Sequence, residues 1–152
     1  SSAPSTAYCR TCGTFNCSVK REWHDGDMVE LCLDMPVERV VANPAVIEDV
    51  GKIALQRGPL VYCLEQCDHS ADVRSLALPD EADLTARFDS SLLGGATVIE
   101  TTGLAPAATG WKGSLYRPLS ETSAKPVRIK AIPYCLWDNR EPGAMTVWVA
   151  RG

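Results

Sequence analysis

The sequence predicts an all-β protein, an antiparallel β-sandwich of the jelly-roll kind. Three observations predict it. Apolar residues recur with period two through much of the chain, and no long stretch competes with the 3.6-residue period of a helix. Clusters of Gly, Pro, Asn and Asp interrupt these runs every ~8–12 residues, the spacing of short strands in a sandwich. The 152 residues, 45% apolar and 22% charged, suit one ordinary folded core rather than a disordered, collagen-like or coiled-coil chain.

The elements follow in order. After the turn signal Gly26-Asp27, residues Val29, Leu31, Leu33 and Met35 share one face of a predicted strand. Pro36 ends it, because proline cannot donate to a ladder. Val37 to Ala42 is a second run, stopped by Asn43-Pro44, and Lys52 to Gln56 alternates up to the Arg57-Gly58-Pro59 break. Leu60 to Leu64 is continuously apolar, as a central strand covered on both faces would be. Val73 to Leu78 and Leu84 to Phe88 predict short strands about the turn-rich Pro79-Asp80-Glu81. Gly94-Gly95 leads into Thr97 to Thr101, rich in β-branched residues. Residues 103–125 hold Gly, Pro, Ser and Thr and predict a long surface loop anchored by Trp111 and Tyr116. Val127, Ile129 and Ala131 then alternate with Arg128 and Lys130, and a loop with Glu141-Pro142-Gly143 joins them to Met145, Val147 and Val149 as a hairpin. Residues 1–20, with weak periodicity, predict a poorly ordered arm. The initial Ser1 reads as a chain cut from something longer.

Charge and cysteine usage narrow the function. Lys plus Arg number 15 against 19 Asp plus Glu, a net charge of −4, so the basic footprint of a nucleic-acid binder is missing and an anionic membrane surface is disfavoured. No apolar run approaches the ~18–20 residues of a membrane span. Seven cysteines cannot all pair within the chain, and several lie in apolar runs where a thiol acts as a small hydrophobe. That usage favours a reducing, cytoplasmic compartment and leaves a secreted or periplasmic parent open.

Chemistry-bearing groups are sparse. Cys9, Cys12, Cys17 and His24 offer the donor types of a tetrahedral zinc shell, but their spacing departs from two close ligand pairs. Loop thiols near a terminus are the plainer reading, so no metal is expected in this chain. Cys63, Cys67 and His69 form a second loose group, read as a buried thiol and a loop thiol. The acids Glu65, Asp68 and Asp138 could serve a two-carboxylate glycosidase only if a cleft gathers them. His24 and His69 stand beside turn residues, and no Gly-x-Ser-x-Gly elbow or phosphate-cradling loop occurs. No catalytic residue is therefore expected. Among Trp23, Trp111, Trp137 and Trp148, the loop residue Trp111 is the best platform for a sugar ring.

A run of motifs adds a resemblance. Trp23-His24-Asp25-Gly26-Asp27 with the following strand and Arg39 is one part, and Ile53 to Glu65 (IALQRGPLVYCLE) is the second. Leu92-Leu93-Gly94-Gly95, then Ile132 to Arg140 (IPYCLWDNR) and Met145-Thr146-Val147-Trp148, complete it. Together they resemble, in order over roughly residues 20–150, the C-terminal β-sandwich region of glycoside hydrolase family 127, the β-L-arabinofuranosidase-like enzymes. The resemblance implies residues 1–20 as a linker or remnant, 21–44 as the last strands of a preceding sandwich, and 45–152 as a C-terminal sandwich. It implies a helical catalytic domain elsewhere in the parent, using a cysteine nucleophile, a glutamate and zinc. No two cysteines of this chain are adjacent, so the cysteine pair of that site has no counterpart here, and neither the nucleophile nor the zinc is carried onto this chain. A non-catalytic accessory domain is expected, partnered by the catalytic helical domain of the same polypeptide and open to homodimer formation; a carbohydrate-binding module is the alternative and a zinc-dependent interaction domain the third. Arg57, Trp111, Trp137, Asn139 and Arg140 are its candidate contacts to that domain or to sugar. Trp137-Asp138-Asn139-Arg140 also suits a polar turn that closes on itself.

Overall fold

The computed structural model describes residues 20, 22–30, 33–107, 109–111 and 113–152. The chain divides into two compact units, Ser1–Pro36 and Val37–Gly152. In the first unit, His24 and Asp27 close a turn: Asp27 N donates to His24 O at 3.1 Å and His24 N to the Asp27 carboxylate at 2.8 Å. Gly26 takes φ +88° at its corner. The strand expected from Val29 to Met35 does not form over its described residues, and Met28, Val29 and Leu33 are exposed. Alternation supplies a strand's faces but not its ladder, and those residues pair with no described strand. The expectation for the arm falls largely outside the described residues.

Among its described residues the second unit carries nine strands: β1 (Val37–Val40), β2 (Lys52–Arg57), β3 (Leu60–Glu65), β4 (Ala77–Leu78), β5 (Thr85–Asp89), β6 (Ala96–Pro106), β7 (Ala124–Pro133), β8 (Met145–Thr146) and β9 (Val149–Arg151). Among the described residues there is no α-helix, only short 3-10 turns, so the all-β expectation stands. The architecture differs from two stacked antiparallel sheets. The pairings run β2-β9-β4-β6-β7-β3 and return to β2, which closes six strands into a barrel. The β4–β9 pair is parallel and the others antiparallel, so the barrel is mixed. Closure leaves those strands without free edges. β1 is added beside β2, β5 beside β6 and β8 beside β3. β1, expected within segment 21–44, is thus laddered along its whole length to β2.

Local chemistry explains the joints. The two-residue connection Gly58-Pro59 sits between the paired Arg57 and Leu60, and Gly58 takes φ +55°. Glycine at the first central position is what a II′ hairpin turn uses. The strand expected from Val73 instead begins at Ala77, because Asp72 accepts from Arg74 N and caps a 3-10 turn over Val73–Ser75. The expected loop over 103–125 is shorter, since β6 and β7 pair out to Pro106 and Ala124. The expected hairpin of 127–131 with 145–149 is absent. One edge of β7 is taken by β6 and the other by β3, so the late strands pair instead with β3, β2 and β4.

One core fills the barrel, with side chains from all six closing strands: Ile53 and Leu55, Tyr62 and Leu64, Leu78, Ile99 and Ala105, Ile129 and Ala131, and Val149. A second, smaller cluster of Cys63, Leu92, Ala96, Val98 and Ile132 covers the opposite face of β3, β6 and β7. Tyr62, Cys63 and Leu64 are accordingly buried on successive positions, whereas Leu60 and Val61 at the mouth of β3 are exposed.

Candidate functional site

The densest polar cluster lies where β3 leaves the barrel. Glu65 is buried at 5% exposure, and its carboxylate accepts from Asp138 N at 3.0 Å and from Arg140 Nε at 2.8 Å. Arg140 Nη2 bonds the same Glu65 oxygen. The other side of the guanidinium meets Asp68, with Nη1 to Oδ1 at 3.0 Å and Nη2 to Oδ2 at 2.6 Å. One planar fork therefore serves two carboxylates, the geometry for which arginine is suited. Burial pushes the Asp68 carboxyl up, but hydrogen bonds and charge from Arg140, helped by Lys130, outweigh it and hold Asp68 below its ordinary range. The hydrogen bonds that Arg140 donates to Asp68 raise Arg140 above the usual guanidinium value.

The cluster continues outward. Lys130 Nζ lies 3.7 Å from Asp68 and 3.2 Å from Asp89, while His69 Nδ1 is 2.7 Å from Glu65 O. Lys130 N donates to His69 Nε2 at 3.2 Å, which makes Nδ1 the protonated nitrogen that donates to Glu65 O. His69 thereby ties β3 to β7. Sequence reasoning singled out Glu65, Asp68, His69 and Arg140 separately; it missed Lys130 and Asp89, which carry no local motif.

What this arrangement can do is bind its own chain together. Among the described residues, Glu65, Cys67 and Asp68 present ligand atoms within 4.8 Å of one another. The donor set does not fit a zinc ion as it stands, because Arg140 already lies on both carboxylates and would have to leave. Burial, the largest cause, pushes the Cys63 thiol up to about 12, and Glu65 adds to it, which disfavours the thiolate that a nucleophile needs. The 3.8 Å contact from Cys67 Sγ to Glu65 is weak.

The other candidates are dispersed. Asn139 Nδ2 donates to the carbonyls of Leu136 and Trp137, at 3.2 and 3.1 Å, and Asp138 takes φ +64°, so this segment folds back as a tight turn pinned to Glu65. Trp137 stacks on Tyr134 with centroids 5.9 Å apart, and both remain part-exposed. Arg57 stands on β2 with an enclosed Nε that has no hydrogen-bond partner. Trp111 Nε1 donates to Ala107 O at 3.2 Å, and the Arg117 guanidinium covers one ring face at 4.5 Å. Trp23 is exposed and Trp148 half-buried. His24 lies 4.0 Å from Asp27, and its proposed co-ligands Cys9, Cys12 and Cys17 fall outside the described residues. An open groove of about 840 Å³ runs past Glu81, Asp83, Glu100, Thr101 and Arg128. Its Glu100 is already bound by Arg87 and Arg128 at 2.8 and 2.6 Å.

Residues 37–150, the second compact unit almost to its end, match the glycoside hydrolase family 127 C-terminal domain. The chain belongs to that family. A curated relative, the non-reducing end β-L-arabinofuranosidase of Bifidobacterium longum subsp. longum, is 38% identical over 132 residues, covering 83% of this chain and 20% of the relative. The crystal structure of a family 127 β-L-arabinofuranosidase from Geobacillus stearothermophilus T6 superposes with a TM-score of 0.74 at 45% identity, over 78% of this chain and 18% of that one. A second family 127 β-arabinofuranosidase structure gives 0.67 at 33% identity, over the same shares. The chain thus spans about a fifth of the length of the family members it matches.

Proposed function

We propose that this chain is the non-catalytic accessory domain of a family 127-like glycosidase, and that it buttresses the helical catalytic domain of the same polypeptide. The observation that carries the reading is the match of residues 37–150 to the C-terminal domain, in a chain that spans a fifth of its relatives. The polar cluster supports it: Glu65, the most buried acid, and Asp68 are both engaged by Arg140 rather than held ready for a substrate. The parent's activity, by likeness to the relatives, is hydrolysis of β-L-arabinofuranosides. Its nucleophile and zinc belong to the catalytic domain, and this chain requires no cofactor of its own. Trp137, Asn139 and Arg140 act in holding the turn that closes on Glu65, with Arg57 and Trp137 available for domain contact. We propose a cytoplasmic setting on the cysteine usage; among the described residues no helix is long and apolar enough to cross a membrane.

The test is an assay of the isolated chain on p-nitrophenyl arabinosides. The expected result is no turnover. Turnover that disappears in the Cys63→Ala, Cys67→Ala double variant overturns the proposal. A second reading, a carbohydrate-binding module, rests on the exposed Tyr134–Trp137 pair and on Trp111. Titration with arabino-oligosaccharides decides it, since a sugar stacked on either ring would change tryptophan fluorescence.

A further inference from the structure

The strongest unexplained feature is the connection between β6 and β7. The two strands pair as far as Pro106 and Ala124, while β4 pairs with β6 only at Leu104, so the last pairs form a two-stranded stem. Beyond the stem, the connection is braced from within. Ala107 N donates to Ser123 O at 2.9 Å and Ser114 N to Trp111 O at 2.7 Å. Trp111 is tied to Ala107 O, and Arg117 lies over its ring while bonding the carbonyls of Gly110 and Glu121. Thr122 Oγ1 closes on Leu119 O at 2.7 Å.

This bracing uses Trp111, Arg117 and Thr122 internally and leaves three large side chains outward. Leu115, Tyr116 and Leu119 are 83%, 90% and 87% exposed. A solvated connection gains nothing by holding three such side chains in water; apolar groups gathered on a pre-shaped projection are the signature of a contact surface. The projection lies inside the region matched to the C-terminal domain, and about four-fifths of the length of the curated relative lies outside what this chain covers. The natural occupant is therefore a surface of the same polypeptide.

We propose that the 107–123 projection is the docking element of this domain, inserting Leu115, Tyr116 and Leu119 into an apolar depression on the helical catalytic domain. The inference rests on the accessory-domain reading above and names the surface through which buttressing acts. Trp111 and Arg117 are positioning residues within it, and they hold the projection in shape before contact. That role also removes one face of Trp111 from the sugar-stacking alternative.

The experiment uses the full-length polypeptide with Leu115→Ser and Leu119→Ser combined, beside the same pair in the isolated chain. Because both side chains are exposed in the isolated chain, its unfolding midpoint should move by no more than about 1–2 °C. The full-length variant should unfold at least ~3 °C lower and be cut faster by protease between the domains. A full-length variant indistinguishable from its parent, when deletion of residues 37–152 does destabilise the remainder, overturns the docking element and spares the accessory reading. If that deletion too leaves the remainder unchanged, both fall. Sedimentation of the isolated chain addresses the other occupant. A dimer that the double variant dissociates assigns the projection to a second copy and overturns the proposal.

Discussion

Arg140→Met is the most informative single change at the polar cluster. Methionine keeps the length and apolar stem of arginine and removes only the charge and the fork. The guanidinium side chain is 19% exposed, Glu65 6% and Asp68 13%, so the three groups are largely dry. Removing one partner of a buried ion pair costs ~3–5 kcal/mol, chiefly because a charge is left without compensation. Two features argue for the low end: part of the guanidinium is wet, and Lys130 still stands 3.7 Å from Asp68. We expect a loss of about 3 kcal/mol, which at the usual slopes lowers a urea midpoint by between about 1 and 3 M. The dependence on pH has a definite sign. Asp68 is held below its ordinary range when folded, so its contribution is present above the unfolded carboxylate pKa and is lost as pH falls through the folded one. The gap between parent and variant should be widest near about pH 7 and should narrow below about pH 4. Urea unfolding followed by tryptophan fluorescence at both values measures it. A loss under ~0.5 kcal/mol, or a gap that grows toward acid, refutes the reasoning.

Three further outcomes follow from the packing. Gly103→Ala places a Cβ 2.7 Å from Ala77 O and against the Ile129 side chain inside the barrel, and overpacking of this kind should cost ~1–3 kcal/mol in chemical denaturation. Tyr62→Phe removes a 2.9 Å hydrogen bond from a buried hydroxyl to Thr97 O and should cost ~1 kcal/mol, read as a lower melting temperature. Cys63, buried and pushed up to about 12, should stay unmodified by iodoacetamide in the native chain while exposed Cys67 and Cys135 react, and mass spectrometry after digestion should find Cys63 labelled only in urea.

The legible parts of the fold were those governed by neighbours in sequence. Alternation located β2 and β7, and the continuous apolar run located β3, because two clusters cover Tyr62 to Leu64 from both sides. Glycine and proline misled at β6. Gly103 reads as loop by residue type, yet it lies within an 11-residue strand laddered to β7, at a place where Ala77 and Ile129 leave no room for a side chain. Val29 to Met35 misled in the opposite sense, having a strand's pattern without a described ladder partner. The barrel closure depends on a parallel β4–β9 contact of two residue pairs, and no local pattern announces it. The polar cluster was hidden for the same reason. Arg140 lies 75 residues from Glu65 and 72 from Asp68, so composition marks the participants but only the strand circuit brings them together.

The position of β9 bears on how the domain is made. This three-residue strand is last in the chain and lies between β2 and β4, joining the two ends of the strand circuit. During synthesis the N-terminal strands emerge first, but no arrangement of them can complete the ring before Val149–Arg151 leaves the ribosome. Until then β4 lacks its parallel partner, and Lys52 and Ile53 of β2 lack theirs, which leaves backbone able to pair with a stranger. The domain is consequently exposed to misassembly for nearly its whole translation. A message truncated after Thr146 would yield a chain with most of its core and no means of sealing it.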